Sequence, residues 1–557
     1  MSGAAGQSPD AFVGLEHWSD ARLTWTISAV LLALASWPLL LVELPPLQDL
    51  PNHLVSVEVI QHPERYPDLV VNGFLKTNSP FFLFVATVGE WIGNPPATRI
   101  FVFLILALNA WIYPLFVLRM TGSRGRMIVA SSVLWAMVHH WYISMGMLNW
   151  SLALPIALAT LLVLDRQRRA PTLARGVGIA LLVLALWYCH ALPLMIVGLL
   201  VVVHVLEQSN WMARWHSACA LLLPFVPGSL LIVGSLVAHF GSLSSEPGGG
   251  LREIAFSPPL SLFAGLWARW FAGFSALSLL TGVASTFLLV WGAQRRRESP
   301  PFFTYPAMLT LLGFFACAPF WMASWGFVNA RFVPFLWFGA LLRVPETLSR
   351  RTFALLGACA LASSVILGVD YVRLDRDAER FKAGMHAVKQ GTTLLPLMFA
   401  RRESSLTTSS LLHAWGFYAI EKQTQKNPLF FGHSRSFPVS YRERPPVQFE
   451  ELTFSRWPGT MKDPTAICLG FVEAGVFIED CQAEFEQRWA TFWEAAIPRY
   501  EQVLLYRPTP EVLELLPSAY RVVHESPPLD EGEPPSLLIL DRIPGWSPEA
   551  PADAMQP

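Results

Sequence analysis

A carboxylate and an imidazole follow a long apolar run near the start of the chain, in the stretch ELPPLQDLPNHLVSVEVIQ (43–61). Asp49 and His53 are four residues apart, so both side chains can face the same side of a helix that begins there. A carboxylate held in such a place can take a proton from an incoming hydroxyl that lies within hydrogen-bond reach. The structural alternative is that Asp49 caps the helix and that His53 is a polar residue at an interface.

Four further polar residues lie at the predicted outer ends of apolar segments. Arg331 and Asn329 belong to SWGFVNARFVPF (324–335), and a guanidinium pairs with a phosphate through two parallel hydrogen bonds. His190 lies in YCHALP and Asn149 in VHHWYISMGMLNW. We interpret all four as candidate substrate-binding residues. The alternatives are a snorkelling arginine and structural polar residues at a membrane interface.

The elements that must position these residues are membrane helices. Of the 557 residues, 53% are hydrophobic and only 15% are charged, against roughly 25% charged in soluble domains. About eleven apolar segments approach the 17 to 20 residues that a transmembrane helix needs. These segments are 24–43, 98–118, 127–143, 148–164, 176–190, 192–206, 217–238, 274–293, 305–323, 331–345 and 353–371. The net charge of −1 gives a nucleic-acid partner no electrostatic support.

Arginine-rich loops predict the orientation of the chain. Four loops carry an excess of arginine, and the positive-inside rule places them in the cytoplasm: 119–126, 165–175, 294–298 and 343–351. An even number of crossings must then separate the second loop from the third, so 176–206 is expected to be a helical hairpin. A cytoplasmic leader (1–23) precedes a transmembrane domain (24–371) whose long outer loop is 44–97.

The tail is expected to lie outside the membrane as a soluble α/β domain (372–545), followed by a disordered end (546–557). Apolar strands alternate with helical patterns in it, which is typical of an α/β layer. Cys468 and Cys481 belong to this tail and can form a disulfide if that compartment is oxidising. We find no CxxC or histidine-rich metal pattern, and we assign no metal ligands.

The layout resembles the GT-C superfamily of polytopic glycosyltransferases, which use polyprenyl-phosphate sugars and include protein mannosyltransferases and aminoarabinose transferases. The resemblance rests on a long first outer loop, an acid just after the first helix, a surface helix that follows it, and PPLQDLPNHL (45–54). It covers 24–371. Many members carry two acids in this loop, whereas here Leu50 follows Asp49 and the next acid is Glu58. Asp49 is therefore the sole base candidate.

The resemblance implies an inverting transfer of a sugar from a polyprenyl-phosphate donor to an envelope acceptor, which is a lipid, a polysaccharide or a protein. Asp49 and His53 would act as catalytic residues, and Arg331 would bind the donor phosphate together with His190, Asn329 and Asn149. The location would be the outer, periplasmic face of a bacterial-type inner membrane. The resemblance leaves a divalent cation open as a cofactor. Two alternatives stay open: a non-catalytic scaffold of an envelope polysaccharide assembly complex, and a transporter of a lipid-linked substrate.

Overall fold

A computed structural model describes residues 17–244, 254–292, 300–322, 325–399, 408, 410–430, 432, 437–443, 445, 481–508 and 510–546. The chain divides into two compact units. The membrane unit consists of Met1–Leu47, Phe74–Arg373 and Ser405–Thr408, and the tail unit of Gln48–Gly73, Leu374–Ser404 and Ser409–Pro557.

Most of the described residues are helical. In chain order the α-helices are α1 (Asp20–Ser36), α2 (Leu50–Gln61), α3 (Pro80–Ile92), α4 (Asn94–Thr121), α5 (Arg124–Val138), α6 (Trp141–Ser144), α7 (Leu148–Arg169), α8 (Leu173–Cys189), α9 (Ala191–Leu206), α10 (Trp211–Leu222), α11 (Val226–Ser244), α12 (Pro259–Phe271), α13 (Ala276–Gly292), α14 (Tyr305–Cys317), α15 (Val333–Leu341), α16 (Arg350–Phe381), α17 (Trp415–Lys422), α18 (Cys481–Ala496) and α19 (Pro510–Glu514). Short 3-10 helices cover Trp37–Leu40, Pro63–Arg65, Leu223–Phe225, Asn329–Phe332 and Lys382–Ala387.

The membrane unit contains the long apolar helices that the sequence predicts. Five helical segments of the described chain are long and apolar enough to cross a membrane: Asp20–Leu40, Asn94–Thr121, Leu148–Arg169, Trp211–Val237 and Arg350–Ala387. A sixth span is possible if α12 and α13 count as one helix bent by 99°. A helix lies in each of the eleven predicted segments, and the number that crosses the membrane stays a prediction.

Two helices of the membrane unit lie where the sequence indicated outer loops. These are α3, inside the loop 44–97, and α12, inside the loop 239–273. Both have 13 residues, well below the roughly 20 that span a bilayer, so a search for full-length spans passes over them. The sequence therefore did not predict α3, and the position of 44–97 outside the membrane stays a prediction.

The predicted hairpin at 176–206 is confirmed as two helices. α8 and α9 are separated by His190 alone. α9 packs against both α7 and α8. The last turn of α7 carries Arg166, Arg168 and Arg169. Positive side chains at the C-terminal end of a helix interact favourably with the helix dipole.

The tail unit is built on a four-stranded sheet, which confirms the α/β architecture predicted for the tail. The strands of the chain are β1 (Leu69–Val71), β2 (Ile254–Ala255), β3 (Trp321–Met322), β4 (Trp325–Gly326), β5 (Leu394–Met398), β6 (Val439–Tyr441), β7 (Gln502–Tyr506), β8 (Tyr520–Ser526) and β9 (Leu537–Arg542). The sheet has the order β5-β7-β9-β8, and only β5 and β7 are parallel. β2, β3 and β4 form a small antiparallel sheet in the membrane unit.

Strands β5, β7 and β9 are buried on both faces of the sheet, whereas the edge strand β8 is largely exposed. Side chains alternate across a strand, so Leu395 and Leu397 pack on the face that α18 covers with Trp489 and Trp493. On the other face, Leu394 and Met398 pack against Phe381 of α16 and Tyr418 of α17. Burial on both faces explains the unbroken apolar run of β5. Cys468, the Cys481 side chain and residues 547–557 lie outside the described residues, so the disulfide and the disordered end stay predictions.

The first-loop segment 48–73 belongs to the tail unit. β1 pairs antiparallel with β6, and the Tyr66 hydroxyl donates a hydrogen bond of 3.0 Å to the carbonyl of Ala419. Val55 and Val59 of α2 pack in one core cluster with Trp415. The helix that begins at Asp49 is therefore held by residues from the far end of the sequence.

Candidate active site

Asp49 is the N-cap residue of α2, as the sequence indicates, but its side chain makes no capping hydrogen bond. Pro51 lies in the first turn, where a missing N–H costs nothing. The side chain of Asp49 is buried, with 6% of the residue exposed. Its Oδ1 accepts a hydrogen bond of 3.2 Å from Nε2 of Gln48. Capping of α2 therefore does not explain the position of the Asp49 carboxylate.

His413 is the second neighbour of the Asp49 carboxylate. Its Nε2 lies 3.6 Å from Oδ1 of Asp49, and only 1% of His413 is exposed. The sequence does not reveal this pair, because nothing local links residues so far apart. His53 is buried one turn into α2, and its backbone N–H donates to the carbonyl of Asp49 at 3.1 Å.

The next acid of the segment, Glu58, is committed to an ion pair. Its Oε1 lies 2.9 Å from a guanidinium nitrogen of Arg65, and the Glu58 side chain is largely buried. Among the residues that the structure describes, no three His, Cys, Asp or Glu side chains are grouped as a metal site would require. Glu58 therefore does not supply a second carboxylate beside Asp49.

In the membrane unit, Arg331 lies over an aromatic ring. Its guanidinium carbon is 4.6 Å from the ring centroid of Trp150 and 5.8 Å from that of Tyr142. The Tyr142 hydroxyl donates to the carbonyl of Ala330, which fixes the backbone beside Arg331. A cation over the face of a tryptophan is held electrostatically. The Arg331 guanidinium is thus held in place by aromatic rings.

His190 joins the same group of residues. Its ring packs edge-on against Trp150, with 5.1 Å between centroids. Its Nδ1 accepts a hydrogen bond of 3.2 Å from the N–H of Leu192 and so caps α9. A nitrogen that accepts carries no hydrogen, so the imidazole is neutral and its hydrogen is on Nε2. The structure brings His190 and Arg331 together through Trp150, as the sequence suggested for substrate-binding residues.

The side chains of both candidate asparagines form hydrogen bonds to other segments of the membrane unit. Asn149 accepts from the N–H of Phe81 at 2.9 Å and donates to the carbonyl of Asn78 at 2.8 Å, so it caps the start of α3 from α7. Asn329 is 2% exposed, and its amide donates to the Ser257 hydroxyl at 3.2 Å. Both side chains position the segments that carry the aromatic and charged groups.

Arg269 is a further residue of the membrane unit that the sequence did not single out. Arg269 lies over Trp141 at 4.6 Å and over Phe327 at 5.0 Å. The Trp141 ring meets the Tyr142 ring edge-on with 5.0 Å between centroids, and Arg331 lies over Tyr142. The signal in the sequence was the run of aromatic residues in VHHWYISMGMLNW. Arg269 and Arg331 therefore lie over the rings of two neighbouring aromatic residues.

Comparison with known proteins decides the fold. No family model matches the sequence, and no curated protein does. Two crystal structures of ArnT from Cupriavidus metallidurans are similar over nearly the whole chain. The apo form gives a TM-score of 0.51 at 14% identity over 94% of this chain and 98% of ArnT. The form bound to undecaprenyl phosphate gives 0.50 at 12% over 95% and 99%. The chain shares the fold of ArnT.

A third structure, arabinofuranosyltransferase AftD from mycobacteria, gives a TM-score of 0.48 at 12% identity. This chain spans 42% of the length of AftD. With its long apolar helices and a fold like that of ArnT, the chain is a multi-pass membrane protein, as the sequence predicts.

Proposed function

We propose that this GT-C chain is an integral-membrane glycosyltransferase. It moves a sugar from a polyprenyl-phosphate donor to an envelope acceptor on the outer face of a bacterial-type inner membrane. The observation that carries the proposal is the buried carboxylate of Asp49, which is not spent on capping α2 and which lies against His413. The GT-C fold supports the same reaction class by likeness.

The proposed step is an inverting displacement. The acceptor hydroxyl gives its proton to the Asp49 carboxylate while its oxygen forms a bond to the anomeric carbon of the sugar. The bond from that carbon to the phosphate oxygen breaks, and its electron pair leaves with the polyprenyl phosphate. The leaving phosphate gains one negative charge, which hydrogen-bond donors and cations must stabilise.

Arg331 is the proposed partner of that phosphate. Its guanidinium rests on Trp150, so little side-chain entropy remains to be lost when a phosphate binds. The Nε2–H of His190 is a neutral donor that can add a hydrogen bond without adding charge. ArnT, whose fold is similar, has been solved with undecaprenyl phosphate bound, which supports a lipid phosphate as the donor class.

The remaining residues have supporting roles in this proposal. His53 lies one turn beyond Asp49 on α2 and is proposed to contact the substrate next to the base. Asn149 and Asn329 are proposed to hold α3 and the Arg331 segment in place, since both amides are engaged there. Glu58 has no role in the proposed step, because it pairs with Arg65.

The test is turnover of radiolabelled polyprenyl-phosphate sugars by the full-length protein in lipid nanodiscs. Wild type is compared with Asp49→Asn, which keeps the shape of the side chain and removes the base. Glu64→Gln is the matched control, because Glu64 is an acid of the same segment whose side chain is 68% exposed. We expect transfer or hydrolysis in wild type and in Glu64→Gln, and its loss in Asp49→Asn.

Equal turnover in Asp49→Asn and wild type would refute Asp49 as the base. If folded wild type turns over no donor of the panel, the enzyme proposal fails and the scaffold interpretation takes its place.

A further inference from the structure

His413 comes from the tail sequence, just before α17, yet its ring reaches the candidate base. Its Nε2 lies 3.6 Å from Oδ1 of Asp49, and both residues are buried. That distance is within the range of an ion pair and longer than a hydrogen bond of 2.7–3.2 Å. Contacts of catalytic groups are often long without substrate and shorten once it binds.

The packing around this pair fixes the start of α2 against the tail. A Cβ on Gly416 would lie 2.7 Å from the carbonyl oxygen of Pro51, so glycine permits the close approach of α17. The N–H of Phe430 donates to the side-chain oxygen of Asn52 at 3.3 Å. These two contacts involve residues two and three positions after Asp49. The tail therefore holds the whole first turn of α2, and the approach of His413 is part of that arrangement.

We propose that His413 is a positioning residue for Asp49. It donates from Nε2 to Oδ1 and so keeps the carboxylate in the orientation in which it accepts the proton of the acceptor hydroxyl. A base that is oriented by a third group is a recurrent device, because misplacement by about 1 Å can cost about 100-fold in rate. This inference rests on the proposed function of Asp49. It also gives the tail a direct part in the reaction.

The experiment compares three variants of the full-length protein in nanodiscs, using the donor that wild type turns over. His413→Ala removes the donor. His413→Gln keeps an Nε2 amide donor at a similar reach. His524→Ala is the matched control, since it removes a histidine of the same unit whose ring packs against His386 and not against Asp49. Activity, KM for the donor and melting temperature are measured for each.

We expect kcat of His413→Ala to fall by about 100-fold with KM little changed, and His413→Gln to recover most of that loss. His524→Ala should keep the kcat of wild type. If His413→Ala keeps wild-type kcat, or if His413→Gln loses as much activity as His413→Ala or fails to fold, the positioning role is overturned and His413 serves packing alone. Loss in Asp49→Asn without loss in His413→Ala would refute only this inference. Retained turnover in Asp49→Asn would refute the proposed function itself.

Discussion

The guanidinium carbon of Arg331 lies 4.6 Å from the ring centroid of Trp150, whose own ring meets His190 edge-on at 5.1 Å. Arg331 comes from the segment before α15, Trp150 from α7 and His190 from the turn between α8 and α9. Three segments of the membrane unit thus place a cation, an aromatic face and a neutral imidazole in one group. We assign this group to the donor phosphate, and the first two predictions test it.

Arg331→Ala should weaken donor binding. A hydrogen bond to a charged group contributes about 1.5–3 kcal/mol, so we expect KM for the donor to rise roughly 10- to 100-fold. Arg331→Lys should restore only part of the loss, because an ammonium cannot pair with phosphate through a planar fork. The control is Arg380→Ala, because the Arg380 side chain is 63% exposed and pairs with Asp377. An unchanged KM in Arg331→Ala would remove Arg331 from the donor site.

Trp150→Leu should reduce donor affinity while Trp150→Phe largely retains it. The phenyl ring still offers a face to Arg331, whereas leucine offers none. A cation–π contact contributes about 0.5–2 kcal/mol, which corresponds to roughly 2- to 30-fold in affinity. Titration of polyprenyl phosphate against each variant measures the effect. Equal affinity of the leucine and phenylalanine variants would show that the ring face does not position Arg331.

Asp68→Asn should change how the stability of the tail unit depends on pH. Burial raises the pKa of the Asp68 carboxyl, against the opposing effects of hydrogen bonds and nearby cations. The folded state therefore binds a proton more tightly than the unfolded state, whose carboxyl has an ordinary value of about 3.9. Stability from this group is present at low pH and is lost as pH rises from that value through the folded pKa.

The measurement for Asp68 is the melting temperature at pH 4.5 and pH 7.5. We expect Asp68→Asn to gain more at pH 7.5 than at pH 4.5, since asparagine can still accept from the N–H of Lys426 at 3.1 Å. A gain of 1 kcal/mol corresponds to about 2–4 °C for a domain of this size. The control is Glu64→Gln. A gain that is the same at both pH values would contradict the prediction.

Gly416→Ala should destabilise the tail unit and lower turnover together. The new Cβ would lie 2.7 Å from the backbone oxygen of Pro51, and an overpacked contact costs about 1–3 kcal/mol. Relief of the clash moves the start of α2 and with it Asp49. Gly357→Ala is the matched control, because a Cβ there meets nothing within 4 Å and alanine favours a helix. Wild-type stability and turnover in Gly416→Ala would show that α2 is not held at this point.

The expectation that Asp49, His53, His190 and Arg331 converge on one outward cavity stays a prediction. Asp49 and His53 belong to the tail unit, whereas His190 and Arg331 belong to the membrane unit.

The sequence by itself determined the features that depend on local chemistry. The sequence predicted a helix wherever an apolar run approached the length of a membrane span. It could do so because the length of an apolar run and its arginine-rich flanks are local properties. The start of α2 was equally readable, because Asp49 and Pro51 are typical of a helix N-terminus. The apolar run of β5 also indicated a buried strand.

Only the tertiary structure decided which distant residues share a site. No local pattern says that residues 48–73 fold with the tail, that His413 lies against Asp49, or that Trp150 supports Arg331. These contacts depend on packing between segments far apart in the chain, and burial then changes what each side chain does. The sequence left open whether Asp49 caps a helix or acts as a base, and the structure shows no capping hydrogen bond from its side chain. It also shows that Glu58 is in an ion pair and that Arg269 lies over aromatic rings.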